Sequence, residues 1–255
     1  MTETIWTWVL LCAAAFVGGA VNAIAGGGTL FTFSSLLTIL SPVHANATST
    51  VALLPGSLAA AWGFRRELSE VREHLIRLWP PSLIGGIIGS LLVTRLPERV
   101  FANLVPWLLI VASVLLLLQK PLSRWVGTHH YTKPKGRVLF GILLFQLLVG
   151  IYGGYFGAGI GILMLSALAF VGIPDIHQMN SVKNILAVTM NGVTACVFVL
   201  SGVVVWKYSL AMAAAALAGG YMGARVSRKM PVRLVRGIVV SIGFGLALYS
   251  FVARR

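Results

Sequence analysis

Asn22-Ala23-Ile24-Ala25-Gly26-Gly27-Gly28-Thr29 and Tyr152-Gly153-Gly154-Tyr155-Phe156-Gly157-Ala158-Gly159-Ile160-Gly161 are glycine-rich interruptions inside long apolar runs. A glycine in a helix interior costs about 1 kcal/mol against alanine. Three in a row weaken a helix at a depth where freed backbone groups find no water. Broken backbone survives there only when it is buried in protein or lines a wet cavity. A helix that restarts after such a break points its N–H groups and positive dipole end at that cavity, which makes it an anion site. Small-xxx-small helix packing is the alternative, and Gly153xxxGly157 and Gly157xxxGly161 satisfy it too.

Outward from these breaks the chain reads as membrane protein. Of its 255 residues 58% are apolar and 10% charged, and the mean hydropathy is +0.90. Soluble domains carry about a quarter charged residues. Ten apolar segments can be marked, at residues 5–25, 29–40, 47–64, 76–94, 101–118, 138–152, 156–171, 180–200, 208–224 and 232–252. Several reach the roughly 20 residues needed to cross a bilayer. Thr29 to Leu40 is only 12 residues, about 18 Å of helix, so two short or broken elements are expected at equivalent places.

The two parts of the chain align. Val17-Gly18 through Gly26-Gly27-Gly28 to Pro42 matches Val149-Gly150 through Gly157-Ala158-Gly159 to Pro174, at an offset of 132. Gly85-Gly86, Gly89 and Pro97 match Gly219-Gly220, Gly223 and Pro231 at an offset of 134. Paired interrupted segments in two repeats point to a transporter's binding site. Five passes per repeat, an odd number, require the second repeat to be inverted. Lys and Arg favour cytoplasmic loops. The linker from Gln119 to Arg137 and the loop from Arg225 to Arg236 carry five each, and Arg65 to Arg77 carries four. All three then lie on one side. The expected fold is all-α: a polytopic membrane helix bundle of two inverted-topology repeats, with eight to ten transmembrane segments and glycine-broken helices. Residues 1–118 form the first repeat, 119–137 a basic cytoplasmic linker, and 138–255 the second.

Polar clusters follow both breaks. Asn46-Ala47-Thr48-Ser49-Thr50 and Asn180-Ser181-Val182-Lys183-Asn184, with Asn191 two turns on, each follow a proline and open an apolar segment. Helix capping explains one such residue, and the excess suggests hydrogen-bond donors facing a cavity. An ionisable residue such as Lys183 within a span is a functional candidate by default; snorkelling to the interface is the competing explanation. Arg225 reads as an interfacial anchor. His44 and His177, in the loops before the clusters, make protons a candidate coupling ion.

The six acids, Glu3, Glu67, Glu70, Glu73, Glu98 and Asp175, all fall at segment ends or in loops. Cation transporters keep a carboxylate within the membrane, so the substrate is expected to be an anion. No HExxH, Ser/His/Asp set, phosphate loop or Cys/His cluster appears, so neither an enzyme nor a cofactor is expected. The net charge of +14 sits between apolar runs without a nucleic-acid motif. Cys12 and Cys196 read as small buried apolar residues. The first apolar run has no basic residue before it, which argues against a signal peptide.

At these residues the chain resembles the TauE/SafE family of sulfite and sulfonate exporter-like transporters. The likeness is carried by Val21-Asn22-Ala23-Ile24-Ala25-Gly26-Gly27-Gly28-Thr29-Leu30, Ala45-Asn46-Ala47-Thr48, Gly150-Ile151-Tyr152-Gly153-Gly154-Tyr155-Phe156-Gly157-Ala158-Gly159 and Gly223-Ala224-Arg225. The resemblance implies an inner-membrane permease for sulfite, thiosulfate or sulfonates. The second repeat departs from the family's commoner Thr-Ser pairing with Asn180-Ser181 and Lys183-Asn184, and the lysine favours a larger or doubly charged anion. The substrate-binding residues expected are Asn22, Gly26, Gly27, Gly28, Thr29, Asn46, Thr48, Ser49, Tyr152, Tyr155, Gly157, Gly159, Asn180, Ser181, Lys183, Asn184 and Asn191. The lipid bilayer and a small anion are the partners. An anion channel and a non-transporting scaffold subunit are the competing functions.

Overall fold

A computed structural model of the chain describes residues 4–24, 27–63, 68–127, 136–171, 173, 176–226 and 245. Among the described residues the secondary structure is helical throughout: α1 (Ile5–Ile24), α2 (Thr29–Leu37), α3 (Pro42–Gly63), α4 (Leu68–Arg95), α5 (Glu98–Gly127), α6 (Arg137–Tyr155), α7 (Ile160–Val171), α8 (Ile176–Leu200) and α9 (Trp206–Val226). Of the segment expected at 232–252, all but Gly245 lies outside the described residues.

Polarity is arranged inside out. On α6, Phe140, Leu144 and Leu148 recur every four residues on one face and are 69%, 47% and 57% exposed. Asn46, Thr48, Ser49, Gln146 and Lys183 are buried. Such a molecule puts an apolar stripe where a soluble protein meets water, and it suits a hydrocarbon surround in which backbone groups are satisfied within helices. Among the described residues five helical stretches are long and apolar enough to cross a bilayer: Ile5–Ala23, Val71–Arg95, Glu98–Leu115, Arg137–Tyr155 and Gln178–Leu200. Helix α2, with 9 residues, and α7, with 12, are too short to cross. They are the two short elements expected after the glycine breaks.

Several helix ends differ from the sequence reading. Helix α3 starts at Pro42, not near Ala47, because proline is pre-organised for a first helical turn. Helix α8 starts at Ile176. Both polar clusters therefore lie inside helices, and capping does not account for them. Helix α4 reaches back to Leu68, through the stretch expected to be a loop; Glu73 and Arg77, one turn apart, form an ion pair at 2.5 Å. Helix α5 runs on to Gly127, into the expected linker, whose residues 128–135 lie outside the described residues. Cys196 is exposed rather than buried, as an outward face in contact with lipid tolerates.

The packing exchanges helices between the two parts of the chain. Helix α9 lies against α1 and α3, and α4 lies against α6 and α8. Small residues let these backbones touch. A Cβ at Gly19 would meet the backbone of Ala216 and Gly220, and one at Gly85 the backbone of Leu147 and Gly150. One apolar core joins α4, α6, α7 and α8 through Leu78, Val149, Met164 and Leu186. A second gathers around α1, α2 and α3, with Phe198, Met212 and Ala216 of α8 and α9 contributing. Helices α3 and α8 meet between the two.

Candidate functional site

The first break is closed by its own asparagine. Helix α1 ends at Ile24, and α2 restarts at Thr29. The orphan N–H groups at a helix start need acceptors. Asn22, on the last turn of α1, supplies one: its Oδ1 accepts from Gly27 N–H at 3.0 Å and Gly28 N–H at 2.8 Å. These two N–H groups, expected to be free for a ligand, are thus already bonded. Gly28 also lies against Gly18 so closely that a Cβ would overlap the Gly18 carbonyl. Gly26 lies outside the described residues.

The second break is held by Tyr152. Its carbonyl accepts from Phe156 N–H at 2.9 Å and Gly157 N–H at 3.1 Å. Its hydroxyl donates to the Ala158 carbonyl at 2.7 Å, across the gap. Gly157 has φ of +75°, a left-handed conformation open to glycine at no steric cost. Helix α7 then begins at Ile160.

A cavity lies between the breaks. From the first part of the chain Asn22, Thr29, Ser57 and Ala60 line it; from the second come Gly157, Ile160 and Gly161 at the start of α7, and Lys183, Asn184, Ala187 and Asn191 on α8. Lys183, Ala187 and Asn191 are spaced four apart and so form one face of α8. The cavity offers about 30 Å³ to water-sized occupants, where one water needs on the order of 10–15 Å³.

Lys183 dominates the electrostatics. It is 1% exposed, and its Nζ has no hydrogen-bond partner among the described residues. It sits seven residues into α8, about 10 Å along the helix axis, and is turned inward rather than towards an interface. Asn184 is 4% exposed and its Nδ2 is likewise without a partner. None of the lining residues is acidic. Because Asn22 Oδ1 is committed to two backbone N–H groups, its amide nitrogen is left as a donor at the cavity wall.

Of the residues expected at the site, Asn22, Thr29, Gly157, Lys183, Asn184 and Asn191 come together here. Others are engaged nearby. Asn46 donates through Nδ2 to the Tyr155 carbonyl at 3.0 Å. Thr48 Oγ1 accepts from Val205 N–H at 3.1 Å, and Ser49 shares a hydrogen bond with Thr32 at 2.5 Å. The Tyr155 ring packs on Phe101, 5.3 Å between centroids. Gly159, with φ of +75°, continues the second break. Asn180 and Ser181 lie on the first turns of α8, Ser181 buried. His44 is hydrogen-bonded to Ser41 at 3.0 Å and does not line the cavity, and the side chain of His177 is not among those described. Arg225 is exposed and stacks on Tyr221. Ser57 was missed, although the 134-residue offset of the later repeat elements pairs it with Asn191.

Comparison with known proteins places the chain in a family. The sequence profile described as sulfite exporter TauE/SafE matches residues 11–250. The chain belongs to the TauE/SafE family. It is 28% identical over 240 residues to a probable membrane transporter protein of Haemophilus influenzae, covering 92% of this chain and 91% of that one. The probable membrane transporter protein YfcA of Escherichia coli K12 is 28% identical over 236 residues, covering 89% and 83%. YunE of Bacillus subtilis, also named a probable membrane transporter protein, is 25% identical over 267 residues, covering 93% and 96%. TauE/SafE membership and the apolar helices together identify a multi-pass membrane protein of a transporter family.

Proposed function

We propose that the chain is a secondary transporter for small sulfur-containing anions, such as sulfite, thiosulfate or sulfonates, which bind in the cavity against Lys183. The ammonium carries the reading. A buried charge without a partner is costly, and an anion supplies the missing counter-charge. Asn22, Thr29, Asn184 and Asn191 give it hydrogen bonds. The sulfur chemistry follows from the name of the TauE/SafE family.

The architecture behind this function is two inverted repeats, residues 1–118 and 138–255, joined by a cytoplasmic basic linker in the inner membrane, with eight to ten spans including the two broken elements. The reciprocal packing supports it, since α9 relates to α1 and α3 as α4 relates to α6 and α8. A site between two such bodies, each built on close glycine contacts, suits alternating access.

The test is uptake of labelled sulfite and methanesulfonate into proteoliposomes. Saturable uptake that falls at least tenfold in Lys183→Ala is the expected result. Unchanged uptake kinetics in that variant would remove Lys183 from the site. Unsaturable conductance through the wild-type protein would mark a channel instead.

A further inference from the structure

The cavity has a definite charge count. Among the described lining residues Lys183 is the one Lys, Arg or His, and none is an acid that would offset it. The start of α2 contributes little, because Asn22 already answers the N–H groups of Gly27 and Gly28. The start of α7 faces the cavity through Ile160 and Gly161, but the N–H groups of Ile160 and Ile162 already donate to the Gly157 and Gly159 carbonyls, so it too adds little to the charge of Lys183. The remaining contacts are neutral. Asn184 Nδ2 has no partner among the described residues, Asn22 lines the wall, and Ser57 Oγ donates to the Leu53 carbonyl at 3.1 Å, which leaves it able to accept. The position equivalent to Lys183 in the first repeat, 134 residues earlier, is Ser49; it is hydrogen-bonded to Thr32 and brings no second cation.

From this balance we infer that the site selects a singly charged oxyanion over a doubly charged one, with Lys183 setting the charge. The inference rests on the reading of the cavity as the anion site. A monoanion leaves the site close to neutral. A dianion leaves nearly one charge uncompensated away from water, where burying charge is expensive. The sequence reading has a lysine favour a larger or doubly charged anion; the inference departs from it because the described lining holds no second cation and the cavity has room for about two or three waters. Within the sulfur anions this points to small sulfonates and the hydrogensulfite form of sulfite.

Methanesulfonate and sulfate test this directly. They have the same number of heavy atoms and the same tetrahedral shape and differ by one charge. Binding of each to the purified full-length protein in lipid nanodiscs is measured by calorimetry at neutral pH. The expected result is at least tenfold tighter binding of methanesulfonate, lost in Lys183→Gln. Ser57→Lys, which adds a second cation to the wall, should move the ratio at least tenfold towards sulfate. Sulfate binding as tight as methanesulfonate, and dependent on Lys183, would overturn the charge selectivity while leaving the anion site in place. A folded Ser57→Lys protein with the wild-type ratio would overturn it as well. Binding of neither anion to folded wild-type protein would overturn the anion site itself.

Discussion

Replacing Lys183 by methionine should stabilise the ligand-free protein and abolish its response to anions. Methionine keeps an unbranched stem of similar length and removes the charge. The lysine is 1% exposed with no hydrogen-bond partner among the described residues, so its ammonium lies in the interior uncompensated until an anion arrives. Exchanging buried ionic groups for apolar ones of similar volume is often neutral or stabilising by about 1–4 kcal/mol. In soluble domains of 150–250 residues each kcal/mol moves the melting midpoint by about 2–4 °C. Lys183→Met should therefore melt several degrees above wild type without ligand. An anion at 100 times its Kd should stabilise wild type by about 2.7 kcal/mol and the variant not at all. The assay is thermal unfolding of the purified protein in detergent, with and without methanesulfonate. A ligand-free variant that melts below wild type would mean that Lys183 holds a structural bond. A variant that keeps the anion-induced shift would mean that the anion binds elsewhere. Either result refutes the reasoning.

Four further substitutions separate structure from binding. Asn22→Asp retains an acceptor for Gly27 and Gly28 N–H but places a carboxylate on the wall of the cavity that Lys183 also lines, so the melting temperature should hold while anion binding falls at least tenfold; calorimetry checks it. Gly28→Ala drives a Cβ into the Gly18 backbone, and overpacking of this kind costs about 1–3 kcal/mol. Gly192→Ala, with open space around it, should gain up to about 1 kcal/mol of helix propensity, and thermal melts of the two variants should move in opposite directions. Tyr152→Phe removes the hydroxyl bond to the Ala158 carbonyl, a loss of about 1 kcal/mol, and should raise amide hydrogen exchange around residues 156–160 more than in α1.

The helices, the two breaks and the short elements after them were legible because apolar run length and glycine clustering are direct demands of a lipid environment. Helix ends were less so. The residues ahead of Ile76 and after Leu118 are charged or polar, and an apolar pattern cannot follow a helix that continues beyond the hydrocarbon. Pro42 was read as a marker before the helix, whereas it occupies the first turn. At the candidate site the sequence singled out Lys183, Asn184 and Asn191, because polar residues stand out in apolar runs. It could not tell that Asn22 would occupy the Gly27 and Gly28 N–H groups, since that depends on how the chain turns at the break. Ser57 went unnoticed because a lone serine in a membrane helix commonly bonds its own backbone, as this one does to Leu53; only its repeat equivalence to Asn191 marks it.

The exchange of helices between the two parts has a consequence for biosynthesis. Gly85 of α4 meets Gly150 of α6, and that contact closes after a short further stretch of chain. Gly19 of α1 waits for Gly220 of α9, 201 positions later. At about 5–20 residues per second, that is roughly 10–40 s during which the small-residue faces of α1 and α3 have no permanent neighbour. The nascent chain completes the core of α4, α6, α7 and α8 before the one around α1, α2 and α3. A ribosome that stops before α9 releases a protein whose earliest helices were never enclosed, and that open groove is what membrane quality control would meet.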